Sequence, residues 1–114
     1  MINWWRISFG AQEIEKVRQA IEGEHISQGS LTEQFEQDIA SDLGMPYGIA
    51  TTSGSVALLL SLMAHGVGPG DEVIVPNRTW IATANAPYLL GAKVVLVDGV
   101  PDEPSMDMNE VEKK

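Results

Sequence analysis

Residues 51–65 read Thr-Thr-Ser-Gly-Ser-Val-Ala-Leu-Leu-Leu-Ser-Leu-Met-Ala-His, and this stretch decides the fold class. A short predicted strand, Tyr47 to Thr51, leads into it, and small residues then open a predicted helix from Ser53 to His65. Almost every residue of that helix is apolar, which predicts burial on most of its sides. A buried helix that directly follows a strand is typical of a protein in which helices cover a sheet.

Strand and helix signals alternate along the rest of the chain. Apolar spacing predicts amphipathic helices over 11–22 and 31–43, strands at Glu72 to Pro76 and Val94 to Val97, and a helix from Trp80 to Leu90 between these strands. Strands that are nearly all apolar and alternate with helices indicate a parallel sheet covered on both faces. The predicted class is therefore α/β, with a mostly parallel sheet flanked by helices.

The chain is strongly acidic. It carries 16 Asp and Glu against 7 Lys and Arg, a formal net charge of −9, and it has no cysteine. The charge argues against nucleic acid and against an anionic membrane as partners, since both attract clustered Lys and Arg. Disulfides and thiolate metal sites are excluded, and no other metal-ligand spacing occurs. The most apolar run, Val56 to Ala64, is shorter than the ~20 residues of a membrane span, and residues 1–6 lack a signal-peptide pattern, so we expect a cytoplasmic protein.

The junction Ser53-Gly54-Ser55 has the features of an anion site. The first backbone N–H groups of a helix have no internal partner and lie at the positive end of its dipole. Gly54 would let a phosphate-sized anion approach the backbone, and Ser53 or Ser55 could add a hydroxyl donor. The same residues also fit a purely structural interpretation, in which Ser53 is the helix N-cap and Gly54 makes a tight turn.

Trp80 follows the strand that ends at Pro76, at the sheet edge where α/β proteins bind ligands. Its indole could stack on a planar ring, or simply pack against the start of a helix. Candidates for catalysis are weaker. Neither His25 nor His65 has a neighbouring serine or cysteine in an arrangement that suggests nucleophilic catalysis. No lysine lies in a pocket-like context that would lower its pKa for covalent catalysis. The residues alone therefore assign no catalytic group.

The C-terminal residues begin an element that the chain does not complete. Asp107 has the features of a helix N-cap, with Glu110 three residues later, yet the sequence stops at Lys114. So short a helix has little stability of its own. We therefore expect the chain to be a fragment that ends inside an element; the alternative is a frayed acidic tail with a fortuitous cap.

Several motifs follow one another in a fixed order. They are Glu33 to Glu36, Tyr47 to Ala50, Thr52 to Leu58, Gly66 to Pro76, Thr79 to Ala86 and Gly91 to Asp98. Together they closely resemble the N-terminal part of the DegT/DnrJ/EryC1/StrS family of sugar aminotransferases, to which perosamine synthetase and similar nucleotide-sugar enzymes belong. The resemblance extends from Ser8 to the helix that begins after Asp107.

The family implies the fold of type I pyridoxal-phosphate enzymes. Residues 1–114 would be the N-terminal fragment of the large domain, and residues 1–30 an arm of helix and loop within it. The resemblance also implies a dimer, since members usually form homodimers with active sites shared between subunits.

The resemblance assigns roles to two groups of residues. In the family, the turn that corresponds to Ser53, Gly54 and Ser55 binds the phosphate of pyridoxal 5'-phosphate, and the aromatic residue at the position of Trp80 stacks on the pyridine ring. The loop Ser27-Gln28-Gly29 matches a Ser/Thr-rich stretch that lies near the active site in relatives, which implies contact with the substrate.

The implied reaction transfers an amino group, with glutamate as the expected donor, to a nucleotide-linked keto-sugar. In the family, the Schiff-base lysine and the carboxylate that pairs with the pyridine nitrogen come later than residue 114. The chain as given would therefore carry part of a cofactor cradle and be inactive by itself. Two alternatives stay open. One is a nucleotide-sugar 3-dehydratase of the same fold, in which histidine replaces that lysine, and the other is an inert truncated remnant or subunit-interaction piece.

Overall fold

A computed structural model describes residues 5–25, 27–103 and 105–114. The elements, in chain order, are α1 (Ala11–Glu22), α2 (Ser30–Asp42), α3 (Gly54–Ala64), β1 (Glu72–Pro76), α4 (Ala82–Leu89), β2 (Lys93–Val97) and α5 (Met108–Val111). They form two compact units, Met1–Ala50 and Thr51–Lys114. In the part of the chain so described, no helix is both long and apolar enough to cross a bilayer. The signal-peptide interpretation of residues 1–6 falls mainly on residues 1–4, which lie outside the described ranges.

The first unit contains the two predicted amphipathic helices. α1 has the predicted bounds, and its first turn is fixed by the backbone N–H of Gly10, which donates to Glu13 Oε2 at 2.6 Å. α2 begins at Ser30 rather than after it, so Gly29 is the N-cap and makes no side-chain cap bond. The capping pair that the sequence indicates, Ser30 with Glu33, is therefore wrong, because Ser30 already has helical geometry and its hydroxyl no longer occupies the cap position.

The strand predicted at Tyr47 to Thr51 is wrong. Among the described residues only β1 and β2 pair along a ladder, and a strand requires a neighbouring strand with which to exchange backbone hydrogen bonds. The segment instead lies against α2. The backbone N–H of Ala50 donates to Glu36 Oε1 at 2.7 Å, and a Cβ added to Gly48 would lie 2.6 Å from the Glu36 carbonyl oxygen. Only glycine allows the backbone to approach so closely at that position.

The second unit is built on two parallel strands. β1 and β2 pair in register from Glu72 opposite Lys93 to Pro76 opposite Val97, and α4 connects them and packs against both. The small side chains on the buried side of α4 allow close approach to the sheet. The buried residues of this unit are Val75, Ala82, Ala86, Pro87, Ala92 and Val97. The predicted α/β class, with a parallel sheet flanked by helices, is confirmed.

The predicted burial of α3 is wrong for this chain. α3 packs against α4, but none of its residues is buried, and Leu58, Leu60 and Met63 are exposed. One strand residue, Leu96, is also 54% exposed. The apolar composition of these elements exceeds what the packing of α4 alone can cover, so apolar surface remains open on the unit.

Both ends of α4 differ slightly from the prediction. The helix begins at Ala82. The residues before it form a tight turn, in which the Thr83 N–H donates to the Trp80 carbonyl and the Ala84 N–H donates to the Ile81 carbonyl, each three residues back. Trp80 therefore lies in a loop. The helix continues through Pro87 for two residues, and Gly91, with φ 81°, then turns the chain towards β2.

Candidate cofactor site

Ser53 is the N-cap of α3. Its Oγ accepts a hydrogen bond from the Val56 N–H at 3.3 Å, while Thr51 Oγ1 donates to the Ser53 carbonyl at 2.9 Å. The structural interpretation of Ser53 is therefore correct. The bond from Val56 occupies one lone pair of the Ser53 hydroxyl and caps the helix, while the bond from Thr51 holds the Ser53 carbonyl in the turn.

Gly54 and Ser55 are the first two residues of α3. Within the described residues, their backbone N–H groups have no protein acceptor and the Ser55 hydroxyl has no protein partner. Both residues are exposed, and a Cβ added to Gly54 would meet nothing within 4 Å. Three donors therefore point to open space at the positive end of a helix, which is the arrangement that binds a phosphate or carboxylate.

The same end of α3 borders a hollow of about 500 Å³. Gly54 and Ser55 line it on one side, and Trp80, Ala82 and Thr83 line it on the other. An adjoining hollow of about 210 Å³ shares Ser55, Trp80 and Ala82 with the first. Three of the four predicted cofactor residues, Gly54, Ser55 and Trp80, are thus brought together, while the fourth, Ser53, supports the turn from below.

Trp80 is carried by the loop between β1 and α4. The loop is fixed at its start by the Asn77 N–H, which donates to the Val97 carbonyl at 2.8 Å. At its end, the hydroxyls of Thr79 and Thr83 lie 3.1 Å apart, and the Thr83 N–H donates to the Trp80 carbonyl at 3.0 Å. The Trp80 side chain is 78% exposed, so it is not a core residue and its flat face is available to a ligand.

The residues predicted to contact substrate belong to the other unit. Ser27, Gln28 and Gly29 connect α1 to α2 and line a separate hollow of about 180 Å³, together with Glu24 and His25. Their role stays a prediction.

Two polar residues of the larger hollow are missing from the sequence-based prediction. Ser61 lies seven residues after Gly54, two helical turns along the same face, and Thr83 lies three residues after Trp80. Helical spacing from the predicted anchors would have identified both. The Ser61 hydroxyl donates to the Ala57 carbonyl at 2.8 Å, so its proton is already engaged.

Among the residues that the structure describes, no titratable side chain lines either hollow. The carboxylates and cations with displaced pKa values lie elsewhere. Hydrogen bonds from the Gly10 backbone and from Arg18 lower the pKa values of Glu13 and Glu15, respectively, on α1. Attraction for an anion at the hollow therefore comes from oriented N–H groups rather than from a charged side chain.

The dimensions of the site suit a phosphorylated aromatic cofactor. Ligand pockets in proteins have volumes of about 300–1,000 Å³, and the larger hollow falls within this range. Gly54 and Ser55 would hold a phosphate group, and Trp80 would cover a planar ring. An anion site at a helix start, near the carboxyl end of a parallel strand, is an arrangement by which α/β proteins bind phosphorylated cofactors.

The profile of the DegT/DnrJ/EryC1/StrS aminotransferase family matches residues 8–114, and the chain belongs to that family. The sequence-based recognition of the family is confirmed.

Solved structures agree with this assignment. Spr1654 of Streptococcus pneumoniae, described as a sugar aminotransferase, has 31% identity and a TM-score of 0.87, and its solved forms include a PLP form and a PMP form. DesV of S. venezuelae has 35% identity and a TM-score of 0.77 over 89% of this chain. The E. coli GDP-4-keto-6-deoxy-D-mannose-3-dehydratase, solved with hydrated PLP, has 24% identity and a TM-score of 0.84, a likeness that shows the common fold alone. The neighbours thus carry the cofactor expected from the sequence.

The chain is much shorter than these proteins. The match to Spr1654 covers 98% of this chain and 29% of that protein, and the match to DesV covers 28% of that protein.

Proposed function

We propose that this chain supplies the phosphate-binding turn and the ring-stacking indole of a pyridoxal 5'-phosphate-dependent sugar aminotransferase. Gly54 and Ser55 would hold the phosphate through two backbone N–H groups and one hydroxyl, Ser53 would fix the turn, and Trp80 would cover the ring. When bound, the cofactor supplies the electron sink of transamination. The single observation that carries the proposal is that the unpaired donors of Gly54 and Ser55 and the exposed indole of Trp80 line one hollow.

The substrate proposed is a nucleotide-linked keto-sugar, with glutamate as the amino donor and a homodimer as the assembly, as the family resemblance implies. Ser27, Gln28 and Gly29 are proposed to contact the substrate. We propose residues 1–114 as the N-terminal part of the large domain, with residues 1–30 as its arm.

We further propose that this chain does not catalyse transamination by itself. In the described part of the chain, no lysine lines the hollow that contains Ser55 and Trp80. Lys93 pairs with Glu72 at the amino ends of the strands, away from the edge that carries Trp80, and Lys113 pairs with Glu110 at the foot of α5. The proton-transferring group of the reaction would therefore come from residues other than those of this hollow.

A nucleotide-sugar 3-dehydratase of the same fold is the second candidate, because the family resemblance implies it and the proposed cofactor site does not separate it from an aminotransferase. Both reactions use the same cofactor, and the proposed roles of Gly54, Ser55 and Trp80 are the same in either. The two candidates differ in the residue that moves the proton, so the identity of that residue as lysine or histidine distinguishes them.

Equilibrium dialysis with two forms of vitamin B6 tests the proposal. The chain is expected to bind pyridoxal 5'-phosphate, and pyridoxal, which lacks the phosphate, at least tenfold more weakly, because charge-assisted hydrogen bonds contribute about 1.5–3 kcal/mol each. Inorganic phosphate should compete with the first ligand. Equal affinity for the two forms, or binding that a Ser55→Ala variant does not weaken, would contradict the proposal. The absence of amino transfer from glutamate in the same sample would support inactivity of the chain alone.

A further inference from the structure

Asn77 and Asp98 join the two strands where both strands end. Asn77 follows Pro76 and Asp98 follows Val97, the last pair in the register of β1 and β2. The Asn77 side-chain amide donates to Asp98 Oδ1, and the Asn77 backbone N–H donates to the Val97 carbonyl at 2.8 Å. We refer to the side-chain pair Asn77–Asp98 as the strand-end clasp. It lies at the edge of the sheet from which the Trp80 loop departs.

The loop after the clasp carries Trp80. An indole that is 78% exposed is held by little packing, so the backbone that carries it is the main limit on where it can lie. That backbone is held at one end by Asn77 and at the other by Thr79 and Thr83. Arg78, between these points, donates to the Glu103 carbonyl at 2.9 Å. The clasp is therefore one of the anchors of the loop, and it is the one that joins the start of the loop to the end of β2 through two side chains.

We propose that Asn77 is a positioning residue that, through Asp98, holds Trp80 over the cofactor ring. This inference rests on the proposed function, since it assumes that Trp80 covers a ring bound at Gly54 and Ser55. Loss of the clasp would leave the phosphate donors of α3 unchanged, because they are fixed by Ser53 and not by the loop. Loss of the clasp would instead widen the range of Trp80 indole orientations. The affinity for the cofactor would then fall, because the indole must be ordered when the cofactor binds.

The same two strands provide a matched control. At their amino ends, Lys93 Nζ lies 2.5 Å from Glu72 Oε1, so this pair also bridges β1 and β2 through exposed side chains. If the clasp merely stabilised the sheet, Asn77→Ala and Glu72→Ala would have equal effects on the indole. If it positions the loop, only Asn77→Ala changes the motion of Trp80.

The test uses the full chain with Trp4→Phe and Trp5→Phe, so that Trp80 is the only indole. Time-resolved fluorescence anisotropy without ligand measures its nanosecond freedom. Asn77→Ala is expected to increase the amplitude of the fast phase, whereas Glu72→Ala should not. The exchanged variant N77D/D98N, which restores one amide donor opposite one carboxylate acceptor, should recover most of the original amplitude. Equal amplitudes in the Asn77→Ala and Glu72→Ala variants, or no recovery in N77D/D98N, would overturn the proposal.

Ligand binding separates this proposal from the proposed function. Asn77→Ala should weaken binding of pyridoxal 5'-phosphate by about three- to tenfold, as expected when one additional side chain must be immobilised on binding, with no change in the affinity for inorganic phosphate. A chain that binds neither ligand would contradict the proposed function, while the ligand-free anisotropy would still decide whether the clasp orders Trp80. Equal weakening for phosphate and for the cofactor would overturn the positioning role, because the effect would then act on α3.

Discussion

Alanine substitutions at Ser53 and Ser55 are expected to have different effects: Ser53→Ala should lower stability, whereas Ser55→Ala should lower the affinity for the cofactor. Ser53 Oγ caps α3 by accepting from the Val56 N–H at a long 3.3 Å, so Ser53→Ala should cost about 0.5–1 kcal/mol, the lower part of the range for N-caps. For a domain of this size the melting temperature should fall by about 2–8 °C. The Ser55 hydroxyl has no protein partner among the described residues, and alanine is the better helix former, so Ser55→Ala should leave stability unchanged or slightly raised.

The effect on cofactor binding should be the reverse. A hydroxyl bound to a phosphate forms a charge-assisted hydrogen bond of about 1.5–3 kcal/mol, so Ser55→Ala should weaken pyridoxal 5'-phosphate binding by about ten- to a hundredfold. Ser61→Ala is the matched control, since Ser61 lines the same hollow on the same helix but already donates to Ala57. Its effect on affinity should be smaller.

Thermal melts followed by circular dichroism and ligand titrations followed by fluorescence measure both quantities on the same samples. Two results would contradict these separate roles: Ser55→Ala lowers the melting temperature as much as Ser53→Ala does, or Ser61→Ala weakens binding as much as Ser55→Ala does. Either result would mean that the Ser55 hydroxyl does not serve the ligand.

Three further predictions concern the first unit. Gly48→Ala should destabilise it by about 1–3 kcal/mol, because the new Cβ would lie 2.6 Å from the Glu36 carbonyl oxygen, whereas Gly29→Ala, whose Cβ meets nothing within 4 Å, should have little effect in the same urea titration. Glu24, with φ 58°, occupies the left-handed region, so Glu24→Gly should raise the free energy of unfolding by about 0.5–1 kcal/mol; an unchanged urea midpoint would contradict this. Finally, the backbone N–H of Gly10 at the start of α1 lowers the pKa of Glu13 from its ordinary value of 4.5. The ionised Glu13 carboxylate should therefore stabilise the fold fully above pH 4.5, and this contribution should be lost as the pH falls through the lower, folded-state pKa. A carboxyl-carbon NMR titration that gives a pKa of 4.5 or higher would contradict this.

The parts of the fold that depend on local signals were predictable from the sequence. β1 and α1 have their predicted bounds, because apolar spacing and flanking turn residues specify them within a few residues of chain. The strand at Tyr47 to Thr51 was predicted in error, because the same apolar pattern forms a strand only where another strand lies beside it, and pairing is a property of distant residues. The prediction that α3 is buried was wrong for the same reason, because burial depends on which distant residues pack against the helix.

The candidate site shows the same limit at smaller scale. The sequence alone left Ser53 open to both a capping role and a ligand role, and the structure shows the capping role, because Ser53 Oγ accepts from the Val56 N–H. The position of Trp80 in a loop was not predictable. The Thr83 N–H and the Ala84 N–H form three-residue turn bonds before α4 begins at Ala82, and the sequence does not distinguish such a turn from the first turn of a helix. The clasp between Asn77 and Asp98 depends on strand register and was not visible in the sequence.

Phosphate binding at the start of α3 is tested most directly by the amide NMR spectrum of the chain during titration with pyridoxal 5'-phosphate. The backbone amides of Gly54 and Ser55 and the indole N–H of Trp80 should shift together and saturate with one dissociation constant. Inorganic phosphate should reproduce the two backbone shifts but not that of the indole. Shifts that saturate elsewhere, with Gly54 and Ser55 unmoved, would contradict the assignment of the phosphate to the start of α3.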